Sequence, residues 1–535
     1  VVRAFDARTG AQRWMWDPIP RHAGTPGAET WRGPNARRTG SANVWSGISV
    51  DTARDLVFLP TGSAAPDFYG GERLGQNLYA NSLVALRAST GAYVWHFQAV
   101  HHDLWDYDLP AQPALVTVHR DGRDVPAVII VSKMGHMFVL DRRTGVPLFP
   151  VEERPVPASD VPGEEAWPTQ PVPVRPPPLV PQRLTAADVS GTPADRAWCA
   201  QAVQGLRSDG MFTPPSLRGS ILFPGNIGGS NWSGVATDEQ RGVAVTPTNR
   251  LATIVRLIPR IAFDSVARAH PDWQATPQRG TAFGMMRRTL RAPSGVPCNR
   301  PPFGALTAVD LATGRVKWEV PLGNDSTGSL NLGGAMVTAG GLVFVAGTID
   351  QRLRAFDIET GRQLWYADLP AAGNAMPMTY QLRPGGKQFV VIAAGGRPPI
   401  WRQGDYVIAF ALDHQALPPA PPVQMADVVG SWAGELMVGG NRLSTTVELR
   451  ETNARVTGDF RVTAPRVTGP INGSMVTEGV SVRIPFNNEG ERCTGEAAGI
   501  LALANAGRLL VGELRLTGAC SDDGEELGTL ALRRP

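Results

Sequence analysis

The sequence has no run approaching the roughly 18–20 apolar residues that a membrane-crossing helix needs, so no such helix is expected within it. It lacks an excess of either charge: 51 Lys and Arg stand against 48 Asp and Glu, a formal net charge of +3, with no basic stripe. That balance excludes a nucleic-acid partner or an anionic membrane surface as the organising ligand. Cysteine is scarce, four in 535 residues, and no CxxC spacing marks a metal or redox motif. The four fall as Cys199 with Cys298 and Cys493 with Cys520, which fits two structural disulfides in an oxidising compartment; buried free thiols are the alternative. An initiator methionine and a signal peptide are also missing, so the chain reads as starting inside a longer protein.

Glycine and proline are plentiful, 59 and 47, and the segments between them are short and rich in Val, Ile, Leu and Phe. Many strands joined by turns are expected, an all-β protein. One pattern recurs as AFDARTGAQRW (Ala4 to Trp14), ALRASTGAYVW (Ala85 to Trp95), AVDLATGRVKW (Ala308 to Trp318) and AFDIETGRQLW (Ala355 to Trp365). VLDRRTGVPLF (Val139 to Phe149) puts phenylalanine in the tryptophan place. The carboxylate and Thr-Gly make a tight turn, and the aromatic residue enters the next strand as an apolar plug. A second unit, seen in GISVDTARDLVFLPTG, GVATDEQRGVAVTPTN and AMVTAGGLVFVAG, reads strand, turn, buried strand. Together they supply four strands in roughly 40–50 residues, the period of a propeller blade. A β-sandwich with similar hairpins is the competing architecture.

Two stretches break the period. Phe149 to Arg183 is proline-rich and should run extended over the surface; Thr192 to Ser220 should hold a short helix, and Ile258 to Pro302 is a long insertion. A Cys199–Cys298 bond would tie these insertions together. The divisions expected are a propeller over 1–413, a Pro-rich linker over 414–424 and an accessory β domain over 425–535. The last should be a small antiparallel barrel or sandwich, with turns at Thr452-Asn453, Asn487-Asn488 and Asn505-Ala506-Gly507. It has no histidine, so a binding or packing role is expected there rather than a second chemistry.

Chemistry concentrates in HHDLWDYDLP, His101 to Pro110. Its plainest role is structural, with Trp105 and Tyr107 packing a rim and Asp103, Asp106 and Asp108 capping turns. Other unusual groups sit at strand ends as this loop does: Trp45, Lys133, Asn226 and Asp405. A carboxylate, a lysine and a planar indole around one pocket suit an anionic aromatic cofactor, the ring stacking on the indole and the carboxylate taking a substrate proton.

At these motifs the sequence resembles the pyrroloquinoline quinone (PQQ) dependent dehydrogenases, in particular the membrane-bound glucose, quinate and shikimate dehydrogenase group. The likeness covers about Val1 to Leu412 and is carried by SANVWSG, HHDLWDYDLPAQPAL with TVHRDG, SKMGHMFVLDRRTG, MFTPPS, LFPGN, LIPR, and GGLVFVAGTIDQRLRAFD through PMTY. The Asp-Thr-Gly-Trp repeat is less specific, since non-catalytic scaffolds of the outer-membrane assembly type share it. The resemblance implies an eight-bladed-type β-propeller, incomplete at its amino terminus. It assigns Trp45 to stacking on PQQ, Asp106 to general base, and Lys133 to the quinone oxygens. Asp405 falls at an acidic position near the cofactor, and Asn249 matches an asparagine contacting PQQ. It further implies a sugar or polyol substrate, ubiquinone as acceptor, a calcium or magnesium ion, and a periplasmic site anchored through amino-terminal helices not present here. His101 and His102 are expected to support the aspartate loop, with metal ligation as the alternative. One departure is Ser63, where wider-family alcohol dehydrogenases carry a calcium-binding asparagine; a serine hydroxyl is the poorer ligand.

Peptide mapping with and without reductant should recover both cysteine pairs as disulfides; free thiols at all four positions would remove the argument for an oxidising compartment.

Overall fold

In a computed structural model all residues are described except 34, 325, 384–385, 399, 413–422, 439–440, 477–478, 505–508, 520–524 and 535. The chain divides into two compact units, Val1–Leu412 and Asp413–Pro535. Most of the linker expected at 414–424 lies outside the described residues. Among the described residues no helix is long and apolar enough to cross a membrane.

The first unit is a series of antiparallel meanders, the blades of a β-propeller. Three have four strands each: Ser49–Asp51, Leu56–Pro60, Ser82–Arg87 and Tyr93–Gln98; Ala236–Asp238, Val243–Asn249, Gly304–Asp310 and Arg315–Pro321; Ala335–Val337, Leu342–Val345, Arg352–Asp357 and Gln363–Asp368. Central strands such as Leu56–Pro60 and Val243–Asn249 are buried along their whole length, whereas the outer Arg315–Pro321 is mostly exposed. The continuous apolar runs of the second sequence unit are thus strands covered on both faces.

The repeat motif joins one blade to the next. In each copy the glycine is left-handed: Gly10, Gly91, Gly145, Gly314 and Gly361 have φ between 66° and 74°. Asp6 accepts the N–H of Arg8 and Thr9, and Asp310 and Asp357 bind their own Thr-Gly turns in the same way. Where Arg87 replaces the aspartate, Asp55 of the neighbouring turn accepts from Ser89 N–H instead (2.8 Å). The tryptophan then docks on the following turn: Trp14 Nε1 donates to Ala88 O, Trp95 Nε1 to Arg142 O and Trp318 Nε1 to Ile358 O, at 2.8, 3.1 and 2.7 Å. Each ring lies flush on that turn's glycine, so that a methyl at Gly91, Gly145 or Gly361 would fall 2.7, 2.5 or 2.6 Å from it. Phe149 occupies the same position against Gly314.

The blade Ala236–Pro321 is interrupted after Asn249, and the interruption is structured. Its strands Thr253–Pro259, Gln274–Thr276 and Phe283–Thr289 join Ser220–Leu222 in a separate four-stranded sheet. The insertion therefore begins earlier than the expected Ile258. A capping box, Thr192 with Asp195, starts the expected helix at Pro193–Gln204. Cys199 and Cys298 are bonded across a sequence separation of 99 and sit in a shared apolar cluster with Leu184, Ile221 and Ile254. The segment from Phe149 is extended as expected, though Val151–Pro155 pairs with Thr169–Pro173.

The second unit is a closed barrel of eight antiparallel strands, Gly430–Val438 through Glu525–Arg533, closed by pairing of the first with the last. Trp432, Leu436, Val447, Leu449, Phe460, Ile471, Ile484, Leu501, Leu514 and Leu530 fill the interior, at the period-2 spacing of inward positions. One expected turn shifts: the strand Gly479–Asn488 continues through Asn488, and the turn is Glu489 to Arg492. Asn488 Oδ1 accepts from Gly490 and Glu491 N–H there, which explains an asparagine at the strand end. The expected turn at 505–507 and Cys520 lie outside the described residues.

Blade docking makes Gly145→Ala costly, because a left-handed alanine loses about 1–2 kcal/mol and the methyl meets Trp95. Gly10→Ala, with nothing within 4 Å of the added methyl, should lose about 1 kcal/mol and Gly145→Ala at least about 1 kcal/mol more, read as shifts in denaturation midpoint at constant slope.

Candidate active site

The loop His101 to Pro110 is folded by its first aspartate. Asp103 accepts the N–H of Trp105 and of Tyr107, both at 2.9 Å, and the Asn81 amide at 3.0 Å. The Ser63 hydroxyl also donates to it. Trp105 and Tyr107 are fully buried; their polar ends donate to Thr213 O (2.8 Å) and Pro224 O (2.7 Å). MFTPPS and LFPGN thus supply the carbonyls that hold the two rings. Between the rings Asp106 takes φ 61°, a left-handed conformation that aspartate tolerates better than most residues. It leaves Asp106 facing charged partners while both neighbours pack in the core.

Those partners come from separate segments. Lys133, in the hairpin between Arg123–Val131 and Met137–Asp141, places Nζ 2.7 Å from Asp106 Oδ1 and 2.6 Å from Asp108 Oδ2. The Asn226 amide donates to Asp106 Oδ2 at 3.3 Å, and the Arg287 guanidinium lies 3.6 Å from the same oxygen. Asp108 Oδ1 also accepts Ser63 N–H at 2.6 Å. Trp45 is 37% exposed, its ring centre 5.8 Å from Lys133 Nζ and edge-on to Trp232. Gly62 permits this approach, since a methyl there would lie 2.6 Å from Asp108 Oδ1 and 3.0 Å from the indole nitrogen.

Burial separates the two carboxylates that share the lysine. Asp106 is pushed up to about 8 by burial, with Lys133 opposing and Asp108 and Asp67 assisting. Asp108 is equally buried, yet Lys133 and the Ser63 N–H outweigh the desolvation and hold it below the ordinary value. Lys133 is raised because the two carboxylates overcome its own burial. Asp67 is raised by burial and then by Asp108 and Asp103. The arrangement is a proton acceptor poised near neutrality beside a fixed cation.

Trp45, Asp106, Lys133 and Asn226 thus come together. Asn249 is buried and bonded both ways to the Asn331 backbone, at 2.8 Å each, joining two blades. Asp405 is exposed in the segment before Tyr406–Phe410 and pairs with none of the four among the described residues. His101 and His102 turn apart. His101 Nδ1 meets Gln98 and its Nε2 meets Glu153, while His102 Nδ1 meets Asn77 at 3.0 Å, and burial, then Arg73, lowers His102 to about 3. Asp67, Arg287 and Trp232 join the site without having been singled out from sequence, and Asp108 serves as a lysine partner rather than only a turn cap.

The first unit is thus a β-propeller that brings a buried lysine–carboxylate cluster next to a partly exposed indole. The family model described as "PQQ: Glucose/ethanol/alcohol dehydrogenase, beta-propeller domain" matches residues 1–390, and the chain belongs to that family. It is 39% identical to the quinate/shikimate dehydrogenase (quinone) of Acinetobacter baylyi over 77% of this chain and 53% of the relative. It is 38% identical to the quinoprotein glucose dehydrogenase of Escherichia coli over 77% and 54%. The chain spans about half the length of these relatives. Among solved structures, the quinohemoprotein alcohol dehydrogenase of Comamonas testosteroni shares the fold, with TM-score 0.53 at 24% identity over 80% of this chain and 59% of that one.

The residues present fit PQQ, an anionic planar quinone: Trp45 offers an open aromatic face and Lys133 a cation beside it. A divalent cation is a different matter. Among the described residues no three His, Cys, Asp or Glu side chains are grouped as ligands, and the Ser63 hydroxyl is spent on Asp103.

Because Asp106 binds its proton more tightly folded than unfolded, its own contribution to stability falls as pH rises from about 4 to about 8. Asp106→Asn should remove that loss: its unfolding free energy relative to wild type should grow across this range by at least about 1 kcal/mol, measured by denaturant unfolding at several pH values.

Proposed function

We propose that the chain belongs to a quinoprotein dehydrogenase that oxidises an alcohol carbon of a sugar or polyol with PQQ and passes the electrons to a quinone, ubiquinone being the expected acceptor. The observation that carries this reading is Lys133 held between Asp106 and Asp108 beside the open face of Trp45. The relatives named as quinate/shikimate and glucose dehydrogenases support the substrate class, and the word quinone in the name of the Acinetobacter baylyi enzyme supports the acceptor.

Oxidising an alcohol to a carbonyl removes two electrons and two protons. Bound PQQ would supply the quinone that takes up the two electrons together with the carbon-bound hydrogen. Asp106 accepts the hydroxyl proton, which its raised affinity favours. Lys133 holds that carboxylate in place and offers a cation to negative charge developing beside it. Asp108, kept ionised, fixes Lys133 from the other side. Trp45 orients a planar ring, and Asn226 fixes the second oxygen of the base. Asn249 and Asp405 are retained as cofactor-side positions, Asn249 acting through the backbone it holds. Calcium or magnesium belongs to the proposal on family grounds alone, and no step is routed through it. The Cys199–Cys298 bond supports an oxidising compartment, the periplasm.

In the full-length protein with PQQ, Asp106→Asn should lower kcat for dye reduction by about 100-fold or more with PQQ affinity retained; unchanged turnover would sink the assignment of the base. Trp45→Ala should weaken PQQ binding by about tenfold, read by equilibrium titration.

A further inference from the structure

The interrupting sheet contributes a residue to the site. Arg287 lies on Phe283–Thr289, an interior strand of that sheet, paired with Val255 on one side and Gln274 on the other. Its Nε donates to Gln274 Oε1 at 2.8 Å, which pins the guanidinium from behind. The guanidinium carbon stands 5.5 Å from the centre of the Phe68 ring, and the side chain is 19% exposed. Asp106 is the one carboxylate paired with it among the described residues, through Oδ2 at 3.6 Å. Lys133 uses the other oxygen, Oδ1.

The sheet that carries Arg287 is itself fixed against the site. Gln278 Oε1 accepts Phe68 N–H at 3.1 Å, Tyr69 meets Phe283 edge-on at 5.1 Å, and Cys298 closes the insertion onto the helix Pro193–Gln204. A guanidinium delivered by so constrained a scaffold, with its Nε already satisfied, is aimed rather than incidental.

We propose that Arg287 is a positioning residue for the base: it clamps the Asp106 carboxylate from the side opposite Lys133 and favours its charged form. The substrate-level consequence rests on the dehydrogenase reading above; the clamp itself does not. Charged groups face Asp106 from every side. Lys133 and Arg287 are cationic, Asp67 comes from the segment after Leu56–Pro60, and Asp108 and the Tyr107 hydroxyl come from its own loop. Arg73 and Asp103 stand behind that loop. Lys133 is divided between two carboxylates, so removing Arg287 leaves Asp106 with half a lysine and two anionic neighbours. Proton affinity must then rise.

The test uses Arg287→Met and Arg287→Lys in the full-length protein. The Asp106 carboxyl is titrated by infrared difference spectroscopy against Asp106→Asn, and kcat is followed against pH with PQQ loaded. In Arg287→Met the carboxyl should titrate at least about one pH unit higher, the acidic limb of kcat should move up equally, and KM should change less than about twofold. Arg287→Lys should restore most of both. Should Arg287→Met not fold, Arg287→Gln carries the same expectation. An unmoved Asp106 titration in a folded variant overturns the proposal, as does a rise in KM at unchanged kcat and pH profile, which would make Arg287 a substrate contact. If the wild type oxidises no polyol while the infrared shift appears, the clamp stands and the dehydrogenase reading falls.

Discussion

One ammonium group between two carboxylates is the interaction on which the site depends. Lys133 bridges Asp106 and Asp108 where burial would otherwise forbid three charges. Taking such groups out of water costs several kcal/mol per ion, so every oxygen needs a donor and every donor a fixed origin. Asp108 fills its second oxygen with the Ser63 N–H, and Asp106 fills its own with Asn226 and Arg287. The asymmetry of these partners separates the two acids. The one held by a backbone N–H and the lysine stays ionised; the one with longer contacts keeps its proton toward neutral pH and can exchange it.

The rest of the first unit keeps those donors in register. Trp-on-glycine docking fixes blade against blade, so strand ends carrying Trp45, Asp106 and Lys133 are held by contacts at the far side of each blade. Asp103 gathers the N–H groups of its own loop with Ser63 and Asn81, which couples the base to the strand end after Leu56–Pro60. The insertion, closed by its disulfide, brings the second cation. The barrel, by contrast, is self-contained: its interior is filled by its own apolar side chains.

Sequence periodicity revealed the blades because docking demands the same three things each time, a carboxylate, a left-handed glycine and a large ring. Phe149 was legible as a substitute for tryptophan for that reason, whereas Asp55 standing in for Arg87 was not, since its turn lies elsewhere in the chain. The acidic loop and Lys133 stood out because polar groups at the ends of strand units are conspicuous against apolar surroundings, while the choice of Asp106 among the three aspartates came from the family resemblance. Arg287 and Asp67 were hidden: Arg287 lies on a strand of the inserted sheet and Asp67 in the irregular segment after Leu56–Pro60, both outside the repeat that sets register, and only the fold brings them to Asp106. Asn249 matched, by resemblance, an asparagine contacting PQQ; in the fold its amide is bonded to the Asn331 backbone, a commitment that no local pattern announces. Turn positions followed strand register, so Asn487-Asn488 missed by the length of one cap.

The position of the bound quinone is the most direct test of the site. A structure of the full-length protein with PQQ bound should show the ring on the face of Trp45 with Lys133 within hydrogen-bond reach of a quinone oxygen. PQQ bound away from Trp45 and Lys133, or no binding with the site folded as described, would contradict it.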